Sequence, residues 1–212
     1  MSIKDELQNI VSGNGSVRNG DTIQSISSFL RGKKKSVSDS EKAKFSKVEE
    51  TKVLIDHIET NNLWFQSIDN SKYIGEGAEQ KIYESSDPKF VLKRNDGVFY
   101  EFWLDYLNNL FLHNYFFPHL AYELVGFSLE GETLYAVVKQ PFVKATESTN
   151  LEHVKEFLES NGFVNKKNND YYHPELGIIP EDLHDENVLT SQGILQFIDT
   201  VFYITDKFYE LE

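Results

Sequence analysis

Residues Ile179 to Leu189 read IPEDLHDENVL. Five polar residues, Asp182, His184, Asp185, Glu186 and Asn187, interrupt an apolar run that returns at once to Val188 and Leu189. A connection that only reversed direction would rely on Gly and Pro. Such a connection has no need of an Asp and an Asn five residues apart, so chemistry is one reading of the spacing. The ordinary alternative is a solvated turn capped by its own side chains. Which reading applies depends on what else the chain supplies.

Downstream, ILQFIDTVFYI (Ile194 to Ile204) reads as a buried strand broken by one carboxylate, Asp199. A buried carboxylate is costly without a partner or a metal. Upstream, KYIGEGAEQKIYESSDPKFVLKR (Lys72 to Arg94) alternates as a twisted hairpin does, with Gly75 and Gly77 near its start and Lys93 in its last strand. Next, VFYEFWLDYLNNLFLHNYFF (Val98 to Phe117) is apolar nearly all round, with Glu101, Asp105, Asn108 and Asn109 as one polar stripe. That pattern predicts a buried helix. YELVGFSLEGETLYAVVKQPF predicts two strands around Glu130-Gly131. TNLEHVKEFLESNGF predicts a short helix with Thr149 and Glu152 as a capping box and Gly162 at its end. Before all this, helical spacing appears at residues 2–11, 21–31 and about Ser40 to Asn61, separated by SGNGSVRNG and by the basic stretch Arg31 to Lys47. Strands and helices in blocks predict an α+β fold.

The chain has 212 residues, 40% apolar, enough for a sizeable core and against disorder throughout. It has no cysteine, which excludes disulfides and thiolate zinc sites and is compatible with a reducing cytoplasm. No apolar run suits a signal peptide or a membrane span, so a soluble protein is expected. Charge is uneven. Residues 1–52 carry ten Lys and Arg against seven Asp and Glu, whereas residues 53–212 carry eleven against 27. A body so acidic repels a phosphate backbone, which disfavours nucleic acid as a partner. The basic stretch reads as a solvated linker, with docking on an acidic surface as the alternative. The six histidines show no paired ligand spacing, and no serine or cysteine nucleophile motif is present.

Taken in order, the polar features supply what phosphoryl transfer requires. Glycines let main-chain N–H groups approach phosphate oxygens, a fixed cation meets them, oxygen ligands hold magnesium, and a carboxylate orients the attacking hydroxyl. On these residues the chain resembles the protein-kinase-like superfamily. Gly75 and Gly77 match the first two glycines of its Gly-x-Gly-x-x-Gly loop, and Ile82 matches the aliphatic residue that follows. Gln80 stands where the third glycine would be. Lys93 in VLK matches the strand lysine, Asp182 and Asn187 the catalytic-loop pair, and Asp199 the metal-site Asp, with Thr200 and Val201 in place of Phe-Gly. DLHDEN, with Pro180 and Glu181 before it, is more similar to aminoglycoside and choline kinases than to typical protein kinases. It is similar above all to the kinase-like domains of polyvalent proteins of phages and mobile elements.

The resemblance implies ATP and magnesium as cofactors and a hydroxyl acceptor on a protein or a small molecule. It implies Lys93 on the phosphates, supported by Glu101 with Asp105 as the competitor. Asp182 would be catalytic and Asn187 and Asp199 metal ligands. Gln140, Phe142 and Val143 would form the adenine hinge. The expected organisation is a helical extension (1–65), a kinase-like N-lobe (66–140) and a minimal C-lobe (141–212). Only 13 residues follow Asp199, too few for an activation segment. That leaves a catalytically weak pseudokinase or nucleotide-binding interaction module as the alternative; transfer of another part of the nucleotide, such as AMP, is a third reading.

Overall fold

The structure, a computed structural model, describes residues 1–36, 46–66, 68–77 and 80–210. The middle of the basic stretch and the first part of the third expected helix lie outside these residues. By internal contacts the chain divides into two compact units. One comprises Met1–Arg18, Phe111–Leu120 and Val143–Glu212, and the other Asn19–Leu110 and Ala121–Phe142. The chain passes from the second to the first between Phe142 and Val143, inside the expected hinge.

The second unit is built on a five-stranded antiparallel sheet in the order β1-β2-β3-β5-β4. Its strands are β1 (Tyr73–Glu76), β2 (Gln80–Glu84), β3 (Phe90–Asn95), β4 (Glu123–Glu130) and β5 (Thr133–Pro141). The expected first hairpin is thus a three-stranded meander. Asp87 closes its second turn, accepting from the amides of Lys89 and Phe90. β4 and β5 reverse at Gly131, where φ is 62°. Gly126 in β4 sits at φ 147°, at a register shift where a Cβ would lie 2.6 Å from the Leu63 carbonyl oxygen. Only glycine lets the segment 63–65 bind β4 there, through Phe127 N–H to Leu63 O and Phe65 N–H to Phe127 O.

Helices α2 (Asp21–Ser36) and α3 (Lys47–Thr60) belong to this unit, as do the first residues of α4 (Trp103–Phe116). α2 runs five residues past the expected end, so the basic stretch begins inside a helix, and Lys34 lies over the Phe102 ring. Phe29 of α2 stacks on His57 of α3 at 3.9 Å between centroids. α3 begins at a Ser46–Glu49 capping box. Its first two turns grip the chain ahead of α4. Lys47 Nζ donates to the carbonyls of Gly97 and Tyr100, Glu50 accepts from the Trp103 amide, and Thr51 Oγ1 accepts from the Trp103 indole.

The first unit holds α1 (Ile3–Ser12), the end of α4, α5 (Leu151–Ser160), the strands that follow it and the short α6 (Asp206–Tyr209). α5 is capped by Asn150, which accepts from the Glu152 amide, and not by the expected Thr149. The Thr149 hydroxyl is instead engaged by Thr190 Oγ1 at 3.0 Å. β6 (Val164–Lys167) and β7 (Asp170–Tyr172) form a hairpin through Asn168, at φ 51°. The core gathers Leu7 and Val11 of α1 with Leu112, Phe117, Leu158, Ile178, Val188, Phe202 and Phe208. Among the described residues no helix is long and apolar enough to cross a membrane.

Candidate active site

Four short strands set the geometry around the opening motif. β8 (Ile178–Glu181) pairs with β11 (Val201–Ile204), Glu181 facing Val201, and β9 (Val188–Ser191) pairs with β10 (Ile194–Phe197), Val188 facing Phe197. One pair of strands is nested inside the other in sequence. The loops that join them, 182–187 and 198–200, therefore start and finish on matched register positions. The Asn187 carbonyl accepts from Ile198 N–H at 2.9 Å and from Asp199 N–H at 3.3 Å, which ties the two loops together. Asp182, Asn187 and Asp199 are thereby brought into one place. Asp199 lies at a half-buried bend between β10 and β11, so the expected single strand is two strands with the carboxylate at their junction.

Within the first loop Asp182 is exposed and left-handed, at φ 64°. Asn187 Nδ2 donates to its carbonyl oxygen at 2.9 Å and to its Oδ2 at 2.8 Å, and Asp170 Oδ1 accepts from its amide at 3.2 Å. Each contact offsets part of the cost of that backbone state. His184 Nδ1 accepts from the Glu186 amide at 3.2 Å, so the neutral ring carries its proton on Nε2. Nε2 stands 3.1 Å from Asp182 Oδ1 and donates to it. Both Asp182 oxygens are thus oriented by donors. With Nδ2 turned to Asp182, the Asn187 atom left for a cation is Oδ1. Among the described residues no group of three or more His, Cys, Asp or Glu could hold a metal alone. A divalent cation here would complete its shell from phosphate and water, as magnesium commonly does.

The remaining expected residues fall in the other unit, with Val143 excepted. Strand register sets Gly75 opposite Ile82, Ile82 opposite Lys93, and Lys93 opposite Val138, one row across the sheet. Lys93 is 2% exposed, and its ammonium lies 5.5 Å from the centre of the Tyr122 ring. It is therefore no solvent-facing strand lysine. The Gly77 amide donates at 2.9 Å to the carbonyl of Gln80, the residue in the third-glycine position. Neither Gly75 nor Gly77 has a positive φ, and among the described residues a Cβ on either would meet nothing within 4 Å. Gln140 is buried opposite Val91, while Phe142 is 54% exposed.

Over residues 47–206 the sequence matches the family described as the serine/threonine/tyrosine kinase found in polyvalent proteins. The chain belongs to this family. Comparison with curated proteins and with solved structures finds no match. The resemblance expected from the motifs is met, and so is the kinase-like α+β fold. Membership in the polyvalent-protein kinases makes the protein a phosphotransferase of kinase type.

In this kinase Glu101 lies ahead of the helix expected to carry it. α4 starts only at Trp103, and Glu101 is exposed at the bend before it. Asp105 caps its own helix, accepting from the Phe102 amide at 3.0 Å. Burial raises its pKa, and Lys34 and Lys47 oppose that rise. The carboxylate that the sequence reading missed is Glu50. It is 2% exposed, it holds the first amide of α4, and burial lifts its pKa to about 7. Its sequence signal is an acid in the first turn of a helix, where surface capping is the ordinary role. Ile74 and Val91 were also missed; with Phe142 they line an open cavity of about 410 Å³ beside the glycine strand.

Proposed function

We propose that this kinase uses ATP with magnesium and transfers the γ-phosphoryl group to a hydroxyl of a protein or small molecule. The observation that carries the reading is the nested strand arrangement that holds Asp182, Asn187 and Asp199 together. Asp182 orients the acceptor hydroxyl and takes its proton, with both carboxylate oxygens already aligned by His184 and Asn187. Asn187 Oδ1 and the Asp199 carboxylate are hard oxygen donors that suit magnesium, whose part is to neutralise the phosphate oxygens. Lys93 contacts the phosphates. Gly75 and Gly77 need be glycine neither for φ nor for packing inside the protein, which supports close approach of a ligand to that strand. Ile74, Val91 and Phe142 offer the apolar wall against which a purine stacks, with Gln140 and Val143 as the remaining hinge residues.

The test is calorimetry of ATP binding with and without magnesium, beside transfer of label from γ-labelled ATP to water, to the protein itself or to candidate acceptors. Magnesium-dependent binding lost in Asp199→Ala, with turnover lost in Asp182→Ala, is the expected result. Binding without any turnover would favour the interaction module. The mass gained by a modified acceptor separates phosphoryl from nucleotidyl transfer. Absence of magnesium-dependent nucleotide binding would sink the proposal.

A further inference from the structure

Lys93 and Arg94 are consecutive in β3, so their side chains leave the sheet on opposite faces. The register places Arg94 opposite Lys81 and Val137, and Ser128 opposite Tyr135, so Lys81, Arg94, Tyr135, Ser128 and Glu130 share the face away from Lys93. There the Arg94 side chain is 7% exposed, with its guanidinium 4.2 Å above the Tyr135 ring. A buried guanidinium has five N–H donors to satisfy. Arg94 uses one edge, through Nη1 to Glu130 Oε2 at 3.2 Å, while its Nε is buried and without a hydrogen-bond partner among the described residues. The Ser128 hydroxyl is buried and unpartnered in the same way. Both residues line one cavity of about 300 Å³ whose apolar wall includes Trp64, Phe65 and Leu129.

We infer that this cavity binds a small organic anion, a carboxylate or phosphate carried on an aromatic or apolar body. The Nε–Nη2 edge of a guanidinium presents two parallel donors that match two oxygens of one such group. Ser128 supplies a further donor from β4. Charge allows it: Lys81 Nζ lies 3.5 Å and Arg94 Nη1 3.2 Å from Glu130 Oε2, so the three carry one net positive charge. In a protein of net charge −13 such a spot is selective for an anion small enough to enter. The cavity is at the lower end of the range for ligand pockets. The site lies outside the nucleotide machinery proposed above and does not depend on that reading.

Trp64 lines the cavity and reports on it, the other tryptophan, Trp103, being buried under α3. Titration of the full chain with benzoate, phenyl phosphate and uncharged benzyl alcohol, followed by tryptophan fluorescence, is the test. A saturable change is expected with at least one anion and not with the alcohol, and the tighter anion identifies the head group. Arg94→Lys keeps the charge but removes the paired donors, and should weaken binding by about tenfold or more. Ser128→Ala, a milder change that tests the site should Arg94→Lys fail to fold, should weaken it by about threefold to tenfold. No saturable response by about 10 mM of either anion, a weak limit for any specific site, overturns the inference. So does an equal response to the alcohol, or binding undiminished in Ser128→Ala and Arg94→Lys.

Discussion

Asn187 holds Asp182 from two sides, its Nδ2 lying 2.9 Å from the Asp182 carbonyl oxygen and 2.8 Å from its Oδ2. One side chain thus fixes both the left-handed backbone and the carboxylate of the proposed base, while its own Oδ1 is left for a cation. Asn187→Asp separates the two duties. It keeps an oxygen ligand but replaces the donor by a second carboxylate against Asp182. Magnesium-dependent nucleotide affinity should stay within about threefold, whereas turnover should fall by about tenfold or more as Asp182 loses its orientation. Calorimetry and label transfer read the two effects separately, and equal losses in both would refute the division.

Asp182 itself should behave differently. Asp182→Asn keeps the left-handed backbone tolerable, because Asn adopts that region more readily than most residues. Folding stability should change by no more than about 1 kcal/mol, and nucleotide should still bind. Turnover should drop by about two to four orders of magnitude, the usual range for loss of a general base. Thermal melts alongside steady-state rates distinguish this from unfolding.

The sequence carried the chemistry of this site further than its scaffolding. The meeting of the Asp182–Asn187 loop with Asp199 agrees with the order of the motifs, because their spacing survives whatever strands surround them. The strands were less legible. β6 is exposed along its whole length and β8, β9 and β10 are four residues each, too short to display a period. The start of α4 and the cap of α5 escaped the sequence reading for a tertiary reason. α4 starts where Lys47 and Glu50, some fifty residues earlier, hold the chain, and Thr149 is drawn away by Thr190. Local pattern has no access to partners so remote in sequence.

Gly126→Ala tests whether the segment 63–65 depends on that one position. The added methyl would meet the Leu63 oxygen at 2.6 Å, on a backbone at φ 147° that alanine does not adopt. Release of this segment from Phe127 removes two backbone hydrogen bonds. A destabilisation of about 2–4 kcal/mol is expected, from strain and lost bonds together. Chemical denaturation measures it. A loss under about 0.5 kcal/mol would mean that the segment moves aside at little cost.

Glu50 links stability to pH through the contact between α3 and the start of α4. Its folded-state pKa is about 7 against an ordinary 4.5, burial being the largest cause and Asp105 adding to it, while the amides of Trp103 and Leu104 and the charge of Lys34 pull the other way. Between about pH 4.5 and 7 the folded protein holds a proton that the unfolded chain has released, so stability falls as pH rises through that window. Below it the penalty is absent, and above it the penalty is complete, on the order of 3 kcal/mol. Glu50→Gln keeps an oxygen to accept from Trp103 but cannot ionise. The variant should melt higher than the parent at about pH 8 and no higher at about pH 5, with the gap opening through the window given by linkage. Parallel melting curves for the two proteins across that range would show that Glu50 titrates normally and that the contact does not bury its charge.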